Sequence, residues 1–435
     1  MSELPQPPEP DRPAGHPASD RGAPSGPVAV IAVRIGLALL VGVLAGLASA
    51  IFLVAMDRAT DAFVEHRLLL FGLPIAGFGV GLAYHYGGKG SAAGNNLILD
   101  EIHEPRAWVP RRLAGLVFAG TVITHLFGGS AGREGTAVQM SGSIADAIAR
   151  RLHVTGMERR ILLVAAIGAG FSGVFGVPIA GFAFALEVQA LGRILRWRSV
   201  APTLVAAIAA DLTVRATGVT HSVLPDVDGV HLGPILVAKV LVASVAFGLM
   251  SLAFAEALHR TKALFARLFS WPPIRPLVGG TLVIAATGLV GTREYLGLSL
   301  PLIGLSIAGG VGVAMAAFAL KTVFTALTLG SGFYGGEVTP LFVVGSTLGV
   351  TMGHLLDAPI PLLAAAGLVA VFAGASNTPV ASTILGLELF GWHPALAVVF
   401  ALACAISYAV SGSSTIYTSQ RRQRWGFRHQ PPTPA

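Results

Sequence analysis

The feature that most constrains this chain is a near-continuous succession of apolar blocks that begins at about Val28. They fall at 28–56, 68–86, 107–128, 136–149, 160–172, 177–192, 200–217, 233–257, 276–291, 302–329, 338–356, 360–374, 378–391 and 394–411. Several approach the roughly 20 residues a helix needs to cross hydrocarbon. Others are too short for that, or are broken by Gly and Pro, which is the pattern of transporters that bind ions at the middle of the membrane. Composition agrees. Charged residues make up 12% of the 435 residues, against roughly 25% in a soluble domain, and the mean hydropathy is +0.73. A water-soluble enzyme is excluded. The 54 glycines are spread through the apolar runs, where they suit helices that approach closely in lipid.

A formal charge of +7 could point to nucleic acid, but Arg and Lys sit in short clusters between apolar runs, the arrangement of a membrane protein with its basic loops inside. Arg150, Arg151, Arg159 and Arg160 form one such cluster, Arg193, Arg196 and Arg198 another, and Arg421, Arg422 and Arg424 a third. The stretch 218–233 has no Lys or Arg and carries Asp226 and Asp228, so it is expected outside and the clusters in the cytoplasm. Residues 1–27, rich in Pro, Gly, Asp and Arg, read as a disordered cytoplasmic tail rather than a cleaved signal peptide, and 421–435 as a short basic, Pro-rich tail. No regulatory domain is expected after Tyr417. The single cysteine, Cys404, lies in an apolar run and reads as a small buried hydrophobe.

An internal repeat organises the rest. Gly132-Arg133-Glu134-Gly135-Thr136 is matched by Gly335-Gly336-Glu337-Val338-Thr339, and both glutamates are followed at the same distance by Gly-Ser. Thr121 and Thr124 answer Thr322 and Thr325, and Ser172, Pro178 and Glu187 answer Ser376, Pro379 and Glu388. The expected architecture is therefore an all-α polytopic membrane protein made of two inverted halves, 28–217 and 218–420, whose short, broken helices meet at mid-membrane.

Glu134 and Glu337 each follow a glycine cluster and precede a helix-like run, so each is expected at a helix N-terminus. Unpaired N–H groups and the positive end of the helix dipole make such a place an anion site, open to a carboxylate or a halide. Placing an ion in a medium of low dielectric costs on the order of 20 kcal/mol in the idealised limit. Two carboxylates in apolar runs therefore call for a function or a partner; simple helix capping is the alternative. Glu187 and Glu388, near helix ends, are expected to hold backbone N–H groups or an Arg. Lys321 is expected to pair with one of the acids, and Arg133 to anchor its loop.

These residues together resemble the CLC family of chloride channels and proton-coupled anion antiporters over about 28–420. Gly132 to Thr136 looks like the family's GREGP and makes Glu134 the gating glutamate. Gly336-Glu337-Val338-Thr339-Pro340 looks like its GxFxP, Gly94-Asn95-Asn96-Leu97 stands where GSGIP is expected, and Tyr417 stands where the pore-lining tyrosine belongs. Thr136 replaces the Pro of the first motif, Val338 the Phe of the second, and Asn95 the chloride-binding Ser. Val188 stands where chloride/proton exchangers carry their internal proton glutamate. Asn95, Glu337 and Thr339 together are similar to the bacterial fluoride-exporting branch.

The resemblance implies a homodimeric fluoride/proton antiporter of the bacterial inner membrane that confers fluoride resistance. Glu134 and Glu337 would couple to protons. Asn95, Thr339, Tyr417 and the N–H groups of Gly135 and Val338 would bind the anion, on loops made by Gly132, Arg133, Gly335 and Gly336. Fluoride is compact and strongly hydrated, so its site must supply several N–H and O–H donors, and the amide of Asn95 offers two. Asn95 as a helix N-cap, Tyr417 as an interfacial belt residue and Thr339 bonded within its own helix are the competing structural readings. At the level of function, a chloride/proton antiporter or chloride channel is the alternative. A remote one is an intramembrane serine protease built on Ser172 with His354 or His393. The histidines show no metal-binding spacing, and no nucleotide or dinucleotide motif is present, so neither metal nor cofactor is expected.

Overall fold

The computed structural model describes residues 27–88, 90–91, 94–189, 192–221, 224–227 and 232–420. The two tails, Asp228 and the basic cluster at 421–424 lie outside them. The described residues form an all-helical molecule: α1 (Pro27–Glu65), α2 (Leu73–Leu82), α3 (Asn95–His103), α4 (Arg112–Leu126), α5 (Glu134–Arg151), α6 (Gly156–Phe175), α7 (Pro178–Glu187) and α8 (Arg193–Ala216) precede the Asp226 region. After it come α9 (Pro234–Leu268), α10 (Ile274–Val290), α11 (Leu300–Ile307), α12 (Ala317–Gly330), α13 (Val338–Leu356), α14 (Ile360–Ser376), α15 (Pro379–Phe390) and α16 (Pro394–Val410). Five helical stretches are long and apolar enough to span a bilayer, and the shorter apolar helices run from 10 to 17 residues.

Many starts are set by proline. Pro178, Pro234, Pro379 and Pro394 open their helices, where a missing N–H costs nothing. Three expectations are corrected. The apolar block 302–329 is two helices, α11 and α12, parted by an irregular stretch at 308–316 that holds glycines at positive φ. Arg159 and Arg160 belong to the first turns of α6 rather than to a loop, and α8 already begins at Arg193, so Arg196 and Arg198 are helical. α3 falls in no apolar block, because only one of its faces is buried (Ile98, Leu99, Glu101 and Ile102).

Close helix approach depends on small residues. A Cβ on Gly345 would lie 2.2 Å from the carbonyl oxygen of Gly367, and one on Gly349 2.2 Å from that of Leu363. These two glycines, four apart on α13, let α14 pack backbone to backbone. Apolar helix surface elsewhere is exposed, including Ile51, Ile75 and Leu289, as hydrocarbon contact requires. Cys404 is fully buried.

The two halves clasp each other reciprocally. Glu187, at the end of α7, accepts hydrogen bonds from Val380 N (3.1 Å) and Ala381 N (2.7 Å) in the first turn of α15. Glu388, on α15, accepts from Ile179 N (3.0 Å) and Ala180 N (2.6 Å) in the first turn of α7. Each acid thus satisfies N–H groups that have no partner in their own helix and meets the positive end of its dipole.

Candidate functional site

The loops before α5 and α13 carry the repeated motif, and they pair. Gly132 N donates to Gly336 O and Gly336 N to Gly132 O, both at 2.7 Å, as a single antiparallel bridge. A Cβ on Gly336 would lie 2.8 Å from Gly135 N, and one on Gly132 2.9 Å from both Gly336 O and Glu134 Oε2. Glycine is therefore required for the loops to touch. Gly335 is pressed against Ala131 in the same way. Further ties hold the bridge in place: Ser130 N donates to Thr328 Oγ1 (3.1 Å) and Ser130 Oγ bonds Thr325 Oγ1 (3.0 Å).

Glu134 is the first residue of α5, but its carboxylate lies on the N-terminus of α13. Thr339 Oγ1 donates to Oε1 at 2.5 Å, and Thr339 N and Arg133 N donate to Oε2, each at 3.1 Å. Arg133 Nε stands 3.8 Å from Oε1. The loop-anchor reading of Arg133 is thus incomplete: its N–H holds the carboxylate, and its buried guanidinium is a counter-charge beside it. Thr339 does not bond within its own helix, as the structural reading had it, because Glu134 takes its hydroxyl.

Glu337 occupies the N-cap position of α13. Its Oε2 is buried without a hydrogen-bond partner among the described residues, and so is Asn95 Oδ1. Both face Gly135: from the point where its Cβ would sit, Asn95 Nδ2 is 2.8 Å away and Glu337 Oε2 3.6 Å. Asn95 is not an N-cap; Gly94 takes that position and Asn95 opens α3. Gly135 and Val338 stand in the first turns of α5 and α13, fully buried. Tyr417 is 6% exposed, which overturns the belt reading, and its phenol is within electrostatic reach of both Glu337 and Glu134. The structure thus brings Asn95, Arg133, Glu134, Glu337, Thr339 and Tyr417 into one neighbourhood.

Lys321 is not in it. Its ammonium donates to Tyr295 O (3.2 Å), Gly297 O (2.8 Å) and Ser299 Oγ (2.9 Å), so the expected acid partner is replaced by three uncharged oxygens. The protease reading also fails: Ser172 Oγ donates to Ala207 O at 2.7 Å in a fully buried setting, and His354 and His393 are exposed. Among the described residues no group of His, Cys, Asp and Glu could hold a metal.

Three contributors escaped the sequence reading. Thr136, noted there only as a departure from Pro, bonds Thr121 Oγ1 through its hydroxyl at 2.7 Å. His125 has its two ring nitrogens 2.8 and 3.0 Å from Thr121 O on α4 and Ala131 O in the loop before Glu134. Asn96 Oδ1 accepts from Ser419 N (3.1 Å), tying α3 to the Tyr417 segment. For His125, a polar residue in the last turn of an apolar helix just before the motif was the available signal.

Together these features define a polytopic membrane protein in which a buried carboxylate sits where two helix N-termini meet. The family model described as voltage gated chloride channel matches residues 76–412, and the chain belongs to that family. It is 47% identical over 401 residues to the "Chloride/fluoride channel protein" of Pseudomonas syringae pv. tomato, covering 90% of this chain and 87% of that protein. It is 26% identical to an H+/Cl− exchange transporter of Vibrio cholerae, over 88% of this chain and 87% of that one. Among solved structures, a CLC-type fluoride/proton antiporter superposes with a TM-score of 0.85 at 34% identity, over 90% of this chain and 98% of that one. A slow cyanobacterial Cl−/H+ antiporter shares the fold, with a TM-score of 0.77 at 20% identity over 88% of this chain and 96% of that one.

Proposed function

We propose that the protein is a proton-coupled antiporter that exports fluoride from the cytoplasm, a homodimer in the bacterial inner membrane with a complete site in each subunit. The observation that carries this reading is the seat of the Glu134 carboxylate on the N-terminus of α13, held by Thr339 through both its N–H and its hydroxyl. That is where an anion would bind. Carboxylate and anion therefore compete for the same donors. Protonation removes the charge of Glu134, weakens its hold on Thr339 and frees those donors, so that anion entry is linked to proton movement.

Fluoride suits the vacated position. Thr339 supplies an N–H and an O–H, Asn95 an amide, and Tyr417 a phenol, which replace several of the waters a small anion gives up. Glu337 Oε2, unpartnered and close to Asn95, is the place to which a proton can pass or from which an O–H can point at the ion. The names of the relative at 47% identity and of the solved antiporter at 34% identity support fluoride as the cargo. An inward proton gradient would then drive fluoride outward.

The test is reconstitution into proteoliposomes with fluoride and chloride efflux and internal pH recorded together. The expected result is fluoride efflux that pumps protons inward, and in Glu134→Gln fluoride movement without protons. Proton movement driven by fluoride in Glu134→Gln would remove Glu134 from the coupling. Chloride flux equal to or above that of fluoride would make chloride the cargo.

A further inference from the structure

Asn95 opens a short helix that Asn96 ties to Ser419 at this end and that buried charge pins at the other. Glu101, 4% exposed near the C-terminus of α3, accepts from Ala107 N at 2.9 Å and from Arg159 Nη1 at 3.0 Å. Arg159, on α6, also donates from Nε to Asp146 Oδ1 (2.6 Å), and from Nη2 to Asp146 Oδ2 (3.2 Å) and Ala107 O (2.8 Å). Asp146 belongs to α5, the helix that begins with Glu134, and its Oδ2 also accepts from Val109 N at 2.6 Å. The Trp108 ring lies between the guanidinium groups of Arg159 (4.7 Å) and Arg150 (5.0 Å). Arg160 Nε donates to Ile102 O at 2.6 Å and fastens the same end of α3.

One buried arginine thus bridges an acid from the helix that presents Asn95 and an acid from the helix that presents Glu134. We propose that Arg159, held between Glu101 and Asp146, is a positioning residue that sets discrimination between fluoride and chloride by fixing Asn95 against Glu134. The proposal rests on the fluoride reading of the site and deepens it.

The physical reason is the size of the ion. A compact anion is recognised by short donor distances, so its site depends on donors held to within a fraction of an ångström. Asn95 has little support of its own, since its Oδ1 has no partner among the described residues. Its place is therefore set by α3, held at the near end by the Asn96–Ser419 hydrogen bond and at the far end, six residues away, by Arg159. Chloride, being larger, is less sensitive to one donor that drifts. The donors that hold the Glu134 carboxylate come from Thr339 and Arg133, and its loop is fixed by the Gly132–Gly336 bridge, none of which belongs to α3.

Glu101→Gln and Arg159→Lys, each alone and combined with Asn95→Ala, put this to the test in proteoliposomes with fluoride, chloride and pH followed together. The single variants should raise the fluoride KM and lower fluoride-over-chloride discrimination about tenfold, within the range that displacements of about 1 Å produce at preorganised sites. The number of protons moved per fluoride should stay at the wild-type value. In the Asn95→Ala background neither change should lower discrimination further, because residues that act through one another are non-additive. Discrimination unchanged in the singles, or losses that simply add in the doubles, would overturn the proposal. If Glu101→Gln does not elute as folded protein, Arg159→Lys, which keeps the cation, decides alone. Should the wild type carry chloride instead, the fluoride reading fails, and the same cycle read on chloride KM still tells whether Arg159 positions Asn95.

Discussion

Glu134 and Glu337 stand at equivalent points of two copies of one loop, yet their surroundings are unequal. Glu134 has three donors on its carboxylate and a guanidinium beside it, whereas Glu337 Oε2 has no partner among the described residues. The difference lies two residues further on, because Thr339 on α13 reaches across to Glu134, while Thr136, its counterpart on α5, turns back to Thr121. A hydrogen bond to a charged group is worth about 1.5–3 kcal/mol. Thr339→Val, which keeps shape and loses the hydroxyl, should therefore cut fluoride turnover by about one to two orders of magnitude, and Thr339→Ser should restore most of it, as read by efflux from proteoliposomes. At this scale much was legible: the repeat pointed to both acids, a departure from the family pattern to Asn95, and likeness to the fluoride-exporting branch to Thr339. Lys321 was not legible, because its partners are two backbone carbonyls and a hydroxyl in the irregular stretch 295–299, which no charge pattern reveals.

Helices are held here at their ends as much as along their faces. The exchange between Glu187 and Glu388 binds α7 to α15 with four charge-assisted hydrogen bonds, two on each first turn. The sequence repeat already paired the two acids, and their place near helix ends suggested a structural task. Their crossed arrangement became visible only with the fold, since each partner lies in the other half. Glu388→Ala should lower stability by about 1 kcal/mol, leaving two first-turn N–H groups, one of them part-buried, without their carboxylate, and Glu388→Gln, which retains one acceptor oxygen, should lose less. Thermal unfolding in detergent measures both. Element boundaries marked by proline were readable, as at Pro178 and Pro379. α3 was not, because its buried face is interrupted by Glu101, an acid that hydropathy counts as exposed and that Arg159 makes compatible with burial.

For the molecule as a whole, the site exists because two helices begin at one place and end far apart. α5, with 18 residues, and α13, with 19, are each roughly 27–28 Å long, close to the hydrocarbon thickness. Their leading loops are bridged at Gly132 and Gly336, so a bilayer can hold both only if their far ends lie at or near its surfaces. Charge indicates which surface each one meets. α5 ends in Arg150 and Arg151, while the last turn of α13 has only His354, and basic residues collect on the cytoplasmic side. On the reading of inverted halves, α5 would run inward and α13 outward, with the proposed anion position between them. Because Cys404 is buried, single cysteines can be introduced without a cysteine-free background. Leu152→Cys, just past α5 and 51% exposed, should react with a membrane-impermeant maleimide only from the cytoplasmic side, and Leu355→Cys, near the end of α13 and 68% exposed, only from outside. Labelling of both from one side would mean that the halves run parallel. The two N-termini would then aim their dipoles in the same direction, and an ion leaving Thr339 would find no opposing helix end to receive it.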